Sequence, residues 1–120
     1  MSPLSRLSDY LAHVRQAAED ACSFVDGMSK EAFISDKRTQ QAVVLSLVVM
    51  GEAATRVLQG HADFVERHPH VPWASMKGMR NRLAHGYFEI NLDVVWETAQ
   101  TALPALLLQW PAVERDALGR

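Results

Sequence analysis

The spacing of apolar residues constrains the fold of this chain more than any other feature. Along most of its 120 residues, apolar side chains recur at steps of three and four, which places them on one face of an α-helix. Proline suits a first helical turn and glycine the residue after the last, so the first helix is predicted to begin at Ser2-Pro3 and to end at Gly27. Its apolar face comprises Leu7, Leu11, Val14, Ala18, Ala21 and Val25.

A linker from Met28 to Asp36 precedes a second predicted helix, from about Lys37 to Gln59, which Gly60 ends. By propensity alone, its β-branched centre would also suit a buried strand. Helix is favoured because the flanking segments are helix-forming and no second strand is available to pair with it. The stretch from Ala42 to Met50 is apolar on nearly every side, which predicts either a central helix or one that also faces a second subunit.

The segment from His61 to Val71 is predicted to be irregular or short-helical, and a third helix to run from about Pro72 to His85. A last helix should begin at Asn91, a good N-cap, and should kink at Pro104, which cannot donate a hydrogen bond to the carbonyl of Gln100. The sequence therefore predicts an all-α, up-and-down bundle of four to five helices. It would form a single domain over residues 1–112, with a frayed tail over residues 113–120.

Composition limits the classes of function. A formal net charge of −2 argues against a protein that coats nucleic acid, so any contact with RNA should be local. The single cysteine, Cys22, excludes an intramolecular disulfide, fits a reducing compartment and is interpreted as a core filler. No basic segment followed by an apolar one opens the sequence, and Ala42 to Met50 is far shorter than the ~20 residues that span a bilayer. We expect a cytoplasmic protein without a membrane association.

A basic segment near the end of the third helix carries the candidate chemistry. Lys77, Arg80, Arg82 and His85 lie within nine residues that include no acidic side chain. Asn81 and His85 are four residues apart and share a helix face, so the amide could orient the imidazole. Arg80 lies about 140° around the helix from His85, but its long side chain can curl toward the helix end.

Histidine and arginine together suffice for one class of reaction. An imidazole can take the proton of a ribose 2′-hydroxyl near neutral pH, and an arginine fork can bind the adjacent phosphate, with no metal ion required. Spacing alone does not establish this chemistry. The helix dipole by itself also favours basic residues at a helix end. His68 and His70, with only Glu66 nearby, are interpreted as solvated loop histidines rather than metal ligands. No metal and no cofactor is predicted.

A longer string around these residues resembles a known family. The segment from Trp73 to Phe88, WASMKGMRNRLAHGYF, is similar to the signature of the HepT-like group of HEPN-domain proteins. The motif of that group is Arg, four residues, His, one residue and Tyr, and Arg80, His85 and Tyr87 fill its three places. The resemblance covers roughly residues 38–107. Its further matches are Met50-Gly51-Glu52-Ala53-Ala54, Pro72-Trp73, and the helix from Val94-Val95-Trp96 to Leu103-Pro104.

The resemblance implies a helical homodimer in which the Arg and His of both subunits line a shared cleft. Members of the group are toxins of type VII toxin–antitoxin pairs and metal-independent ribonucleases. Their partner is a nucleotidyltransferase-fold (MNT) antitoxin, which silences the toxin by adenylylation of the motif tyrosine. Carried over by position, Arg80 and His85 would be catalytic and Tyr87 would be modified. Asn81, Arg82 and Lys77 would support them.

Three points stay open at the level of the sequence. Glu52 is expected to be a buried carboxylate with Arg56, four residues on, as its partner, and a structural role is favoured over a catalytic one. Tyr87 could instead be a packed aromatic or a ring on which a base stacks. The whole chain could be a non-catalytic module that holds a nucleotide, RNA or a nucleotidyltransferase, or a purely structural helical dimer.

Overall fold

The computed structural model describes residues 3–119, and the side chains of residues 6–119. Within these residues the chain forms only helices and turns, which confirms the all-α prediction. The elements are α1 (Pro3–Phe24), α2 (Lys30–Ile34), α3 (Lys37–Gly60), α4 (Ala62–Arg67), α5 (Trp73–His85), a 3₁₀ turn (Tyr87–Glu89), α6 (Leu92–Glu97), a π-helical turn (Thr98–Ala102) and α7 (Leu103–Ala117). The α1 helix includes Pro3, while Ser2 lies outside the described residues.

Side-chain caps set the starts of three helices. The Asn91 side chain accepts hydrogen bonds from the backbone of Asp93 and Val94, which confirms it as the N-cap of the last helix. Asp36 caps α3 in the same way. Ser29 caps the five-residue helix α2, so the prediction of a plain linker between Met28 and Asp36 is wrong. This helix persists because its Phe33 is fully buried.

Helix α3 lies at the centre of the molecule and packs between α1 and α5. Within the part of the chain that the structure describes, it alone is long and apolar enough to cross a membrane by length and composition. More than half of its most apolar window, 56%, is buried inside the fold, as expected of a core helix. Side chains from α7 complete the core, and the indole of Trp110 donates a hydrogen bond to the carbonyl of Leu11, 2.9 Å away.

The irregularity predicted at Pro104 takes the form of a π-helical turn just before it. The N–H of Leu103 bonds to the carbonyl of Thr98, five residues back, instead of the usual four. The residue five beyond Ala99 is Pro104, which has no N–H to offer. The Cys22 thiol lies 3.7 Å from the Ala99 carbonyl and donates to it, and burial raises the pKa of this thiol. Cys22 is therefore partly buried against the core, as a core filler should be. It also donates to the Ala99 carbonyl, to which Pro104 cannot donate a hydrogen bond.

The predicted fraying of residues 113–120 is wrong for residues 113–117, because α7 continues to Ala117. Pro111 lies inside this helix and does not end it. Val113 and Ala117 are almost fully buried, and Arg15 on α1 forms a 2.9 Å ion pair with Glu114. Packing against α1 thus holds the last turns in place.

Candidate functional site

Two side chains of α3 hold Arg80 on α5. One guanidinium nitrogen, Nη2, donates to the Thr55 hydroxyl at 3.2 Å, and the other, Nη1, lies 3.6 Å from a carboxylate oxygen of Glu52. Thr55 is buried and in turn donates to the carbonyl of Gly51 at 2.7 Å. The Arg80 side chain is only 21% exposed, and its Nε is buried without an acceptor among the described residues. The guanidinium is therefore fixed in direction by α3, and an anion can reach it only from the exposed fifth of the side chain.

Gly51 makes this arrangement possible. A Cβ atom at this position would overlap the Arg80 side chain and would lie 2.6 Å from the backbone carbonyl of Met76. The missing side chain lets α5 approach α3 closely enough for Arg80 to reach Glu52 and Thr55. The apolar helix pattern included Gly51, but it gave no sign that the residue lies against the candidate arginine.

Glu52 differs from its prediction in one respect. Its side chain is 47% exposed, so the expectation of a buried carboxylate is wrong, because Glu52 lies on the exposed face of α3, in line with Val49 and Arg56. The predicted partner Arg56 is confirmed, with Nε 3.2 Å from one carboxylate oxygen. The other oxygen faces Arg80, which the sequence did not predict. Glu52 thus joins the two arginines.

His85 is the last residue of α5 and is exposed. Asn81 is exposed as well, and no hydrogen bond joins it to His85 within residues 6–119, so its orienting role stays a prediction. Lys77 and Arg82 are also exposed on α5. The helix ends at Gly86, whose N–H bonds to the carbonyl of Arg82 at 2.9 Å. The last turn of α5 therefore presents an imidazole to solvent and also contains Arg82.

Tyr87 opens the 3₁₀ turn that follows His85. Its ring is 47% exposed, and its hydroxyl accepts a 3.2 Å hydrogen bond from the side-chain amide of Gln41 on α3. The next residue, Phe88, is 100% exposed, with its ring centre 6.2 Å from that of Tyr87. Tyr87 is thus tethered to α3 rather than packed in the core, and its hydroxyl can be reached from solvent.

The interpretation of His68 as a solvated loop residue is wrong. His68 is buried against Phe64, and its Nε2 donates a 2.7 Å hydrogen bond to Asp116 on α7. This hydrogen bond, aided by Arg67, lowers the pKa of the Asp116 carboxyl. His68 therefore links the end of α4 to α7.

Sequence reasoning missed Thr55, Gln41 and Phe88 as residues of this site. A glycine in the interior of an apolar helix signals a close approach of another element, and Thr55 follows Gly51 by one helical turn. Gln41 lies in the first half of α3, and nothing in the local pattern links it to Tyr87. Phe88 is an apolar residue in a turn, which was a usable signal of an exposed aromatic.

The comparisons with known proteins agree with one another. The model of the Ribonuclease HepT-like family matches residues 14–113. "Probable ribonuclease HepT" of Thermococcus cleftensis is 37% identical over 82% of this chain and 86% of its own length. "Putative RNase MJ0127" of Methanocaldococcus jannaschii is 31% identical over 98% of this chain and 94% of its own length. "Putative RNase TTE0752" of Caldanaerobacter subterraneus subsp. tengcongensis is 38% identical over 81% and 84%. Among solved structures, none matches the chain significantly.

Proposed function

The chain belongs to the HepT-like ribonuclease family, and from this premise we propose that it cuts RNA without a metal ion, through Arg80 and His85. One observation carries the proposal. Glu52 and Thr55 hold the Arg80 guanidinium, while His85, five residues on, stands exposed at the end of the same helix. A fixed phosphate-binding cation and a free proton acceptor on one rigid element are what this reaction needs.

In the proposed reaction the His85 imidazole takes the proton of a ribose 2′-hydroxyl. The 2′-oxygen then attacks the adjacent phosphorus, and the bond from phosphorus to the 5′-oxygen breaks. The leaving 5′-oxygen takes up a proton from water and His85 returns its proton to solvent, so the products are a 2′,3′-cyclic phosphate and a 5′-hydroxyl. Arg80 N–H groups bind the non-bridging phosphate oxygens, where charge builds during the attack.

The test is RNA cleavage by the purified chain in EDTA, beside Arg80→Ala and His85→Ala. Loss of a general base costs about 10²–10⁴-fold in rate, and loss of one charge-stabilising donor about 10²–10³-fold. Leu108→Ala is the control, because this side chain is 87% exposed on α7. Undiminished cleavage by His85→Ala would refute the mechanism. RNA binding without cleavage would instead support a non-catalytic binding module.

The proposed active form is a homodimer. Five exposed residues follow one another at helical spacing on α3: Gln41, Leu45, Val49, Glu52 and Arg56. Leu45 is 64% and Val49 44% exposed, and Phe24 on α1 lies beside them across a groove. The stripe is apolar in its middle, while at its ends Gln41 contacts Tyr87 and Glu52 contacts Arg80. A second copy seated on the apolar middle of this stripe, Leu45 and Val49, would therefore bring its own Arg80 and His85 next to the first pair and leave Gln41 at the edge of the contact.

The proposed biological role is that of a cytoplasmic toxin under the control of a nucleotidyltransferase-fold antitoxin. The accessible Tyr87 hydroxyl supports this role. The Tyr87 hydroxyl oxygen would attack the α-phosphorus of a nucleoside triphosphate, form a phosphodiester and release pyrophosphate. The added charge and bulk, two residues from His85, would exclude the substrate phosphate.

In cells that also produce the antitoxin, intact-mass analysis should show an adenylyl group on the wild type and none on Tyr87→Phe. A modified Tyr87→Phe protein would place the modification elsewhere.

A further inference from the structure

A hollow lies between the start of α3 and the 3₁₀ turn, next to the Arg80–His85 segment. Tyr87, Phe88, Ile90 and Leu92 form its apolar side, and Lys37 and Gln41 lie on the side of α3. Phe88 is the most exposed large apolar side chain of the described part of the chain, at 100%. A fully exposed phenylalanine gains nothing from burial in the fold, and together with the apolar side of the hollow it forms a surface on which a ligand can pack.

We propose that this hollow binds one nucleotide of single-stranded RNA, immediately beside the phosphate that is cut. The inference rests on the proposed function for the identity of the ligand. It adds Phe88, Lys37 and Gln41 to the site as substrate-binding residues, and none of the three carries out the chemistry.

The chemistry of the hollow fits a nucleotide. A base can stack on an aromatic face whatever its identity, and the Phe88 and Tyr87 rings stand at 76° to each other, so one can stack while the other closes the edge. Gln41 uses one amide hydrogen on the Tyr87 hydroxyl and keeps its carbonyl oxygen for a base edge. The exposed Lys37 forms no ion pair among the described residues, so its charge is available to a phosphate.

The position of the hollow fixes which nucleotide it takes. His85 and Tyr87 are separated only by Gly86, and two residues of extended chain span at most about 7 Å. A base held against Tyr87 and Phe88 therefore belongs to a nucleotide that adjoins the ribose at His85. The acidic neighbour Asp36 does not compete with the phosphate for Lys37 at close range, since the two side chains form no ion pair among the described residues. Its carboxylate is bound to the N–H and hydroxyl of Thr39, which lowers the pKa of this carboxyl.

The test is the affinity of the full chain for a short single-stranded RNA with every ribose 2′-O-methylated, measured by fluorescence anisotropy. This probe cannot be cut, so binding is measured apart from cleavage. Phe88→Ala should weaken binding about 5- to 150-fold, the range for loss of one base stack. Phe88→Trp should keep the affinity, and Phe88→Leu, of similar hydrophobicity but without a ring, should lose it. Lys37→Gln should make the RNA affinity less dependent on salt, by the amount expected for the loss of about one phosphate contact.

Leu108→Ala is the matched control, an exposed apolar residue on α7. Equal affinity of the wild type, Phe88→Ala and Phe88→Leu would overturn the proposal, even if the wild type cuts RNA. So would a loss of dimer in Phe88→Ala by light scattering with binding per subunit unchanged, because Phe88 would then be a subunit contact. If RNA binding depends on the Phe88 ring but the protein cuts no RNA, the nucleotide site is supported and the proposed ribonuclease activity is refuted.

Discussion

Arg80 depends for its direction on residues of another helix. Thr55 is buried and uses its hydroxyl twice, as a donor to the Gly51 carbonyl and as an acceptor from Arg80. Glu52 is half exposed and shared with Arg56, so its pull on Arg80 is weakened by solvent. Of the two contacts, the buried one to Thr55 is therefore the stronger constraint on the guanidinium.

This difference predicts the effect of Thr55→Val, which keeps the shape of the side chain and removes the hydroxyl. Hydrogen bonds to charged groups contribute about 1.5–3 kcal/mol, so a guanidinium freed from Thr55 should lower the cleavage rate about tenfold or more. Thr55→Ser retains the hydroxyl and should keep most of the rate. The measurement is single-turnover cleavage of one RNA substrate by the three proteins. Equal rates for Val and Ser would show that Thr55 does not position Arg80.

The sequence predicted which residues belong to this site but not how they are held. Arg80, His85 and Tyr87 were identified because they lie close together in sequence and fill a specific motif. Thr55 and Gln41 could not be identified, since they approach the site only through the packing of α3 against α5. Glu52 was assigned to the interior because it follows an apolar run, whereas the run itself is partly exposed at Leu45 and Val49.

At the scale of helices, α5 approaches α3 closely at Gly51. Gly51→Ala would place a methyl group against the backbone of α5, which must shift. Overpacking of this kind costs about 1–3 kcal/mol. Gly60→Ala, near the end of the same helix, meets no atom within 4 Å and should be neutral or slightly stabilising. The measurement is the free energy of unfolding in denaturant, and equal values for the two variants would contradict the close approach.

The contact of α4 with α7 gives a prediction that depends on pH. The pKa of Asp116 is lowered in the folded protein by the His68 hydrogen bond and by Arg67. The pair therefore stabilises the fold above the ordinary carboxyl pKa of 3.8, and this contribution is lost as pH falls through the lower folded value. Asp116→Asn should reduce the melting temperature at pH 7 and reduce it less at pH 3, where part of this contribution is already lost.

The control for this experiment is Asp9→Asn on α1, because Asp9 is exposed and forms no ion pair within residues 6–119. Its melting temperature should follow that of the wild type at both pH values. A loss in Asp116→Asn of equal size at pH 7 and pH 3 would rule out the charge as the cause.

The helices themselves were largely predictable, and the errors have physical reasons. Apolar spacing located the long helices, and Asn91 and Gly60 marked their ends correctly. The tail from residue 113 was expected to fray, but burial of Val113 and Ala117 outweighs the hydrogen bond that Pro111 cannot form. The π-helical turn lay outside the reach of local patterns, because it depends on how the chain accommodates Pro104 against α1.

At the scale of the whole molecule, the exposed stripe on α3 predicts the assembly. Leu45→Glu would place a charge in the apolar middle of the proposed dimer contact and should shift the protein to monomer at micromolar concentration. Leu108→Glu on α7 should leave the dimer intact, since that side chain is exposed away from the stripe. Light scattering decides between them. A monomeric wild type, or dissociation of both variants alike, would contradict the assignment of the stripe.

In the proposed mechanism, a ribose oxygen activated by His85 breaks the RNA chain without a metal. The most direct measurement is the identity of the ends produced when the protein acts in EDTA on RNA and on DNA of the same sequence, read by mass spectrometry. The proposed mechanism predicts 2′,3′-cyclic phosphate and 5′-hydroxyl ends from RNA. The DNA should stay intact, and His85→Ala should give no products. Ends with a 3′-hydroxyl and a 5′-phosphate, or cleavage of the DNA, would contradict it.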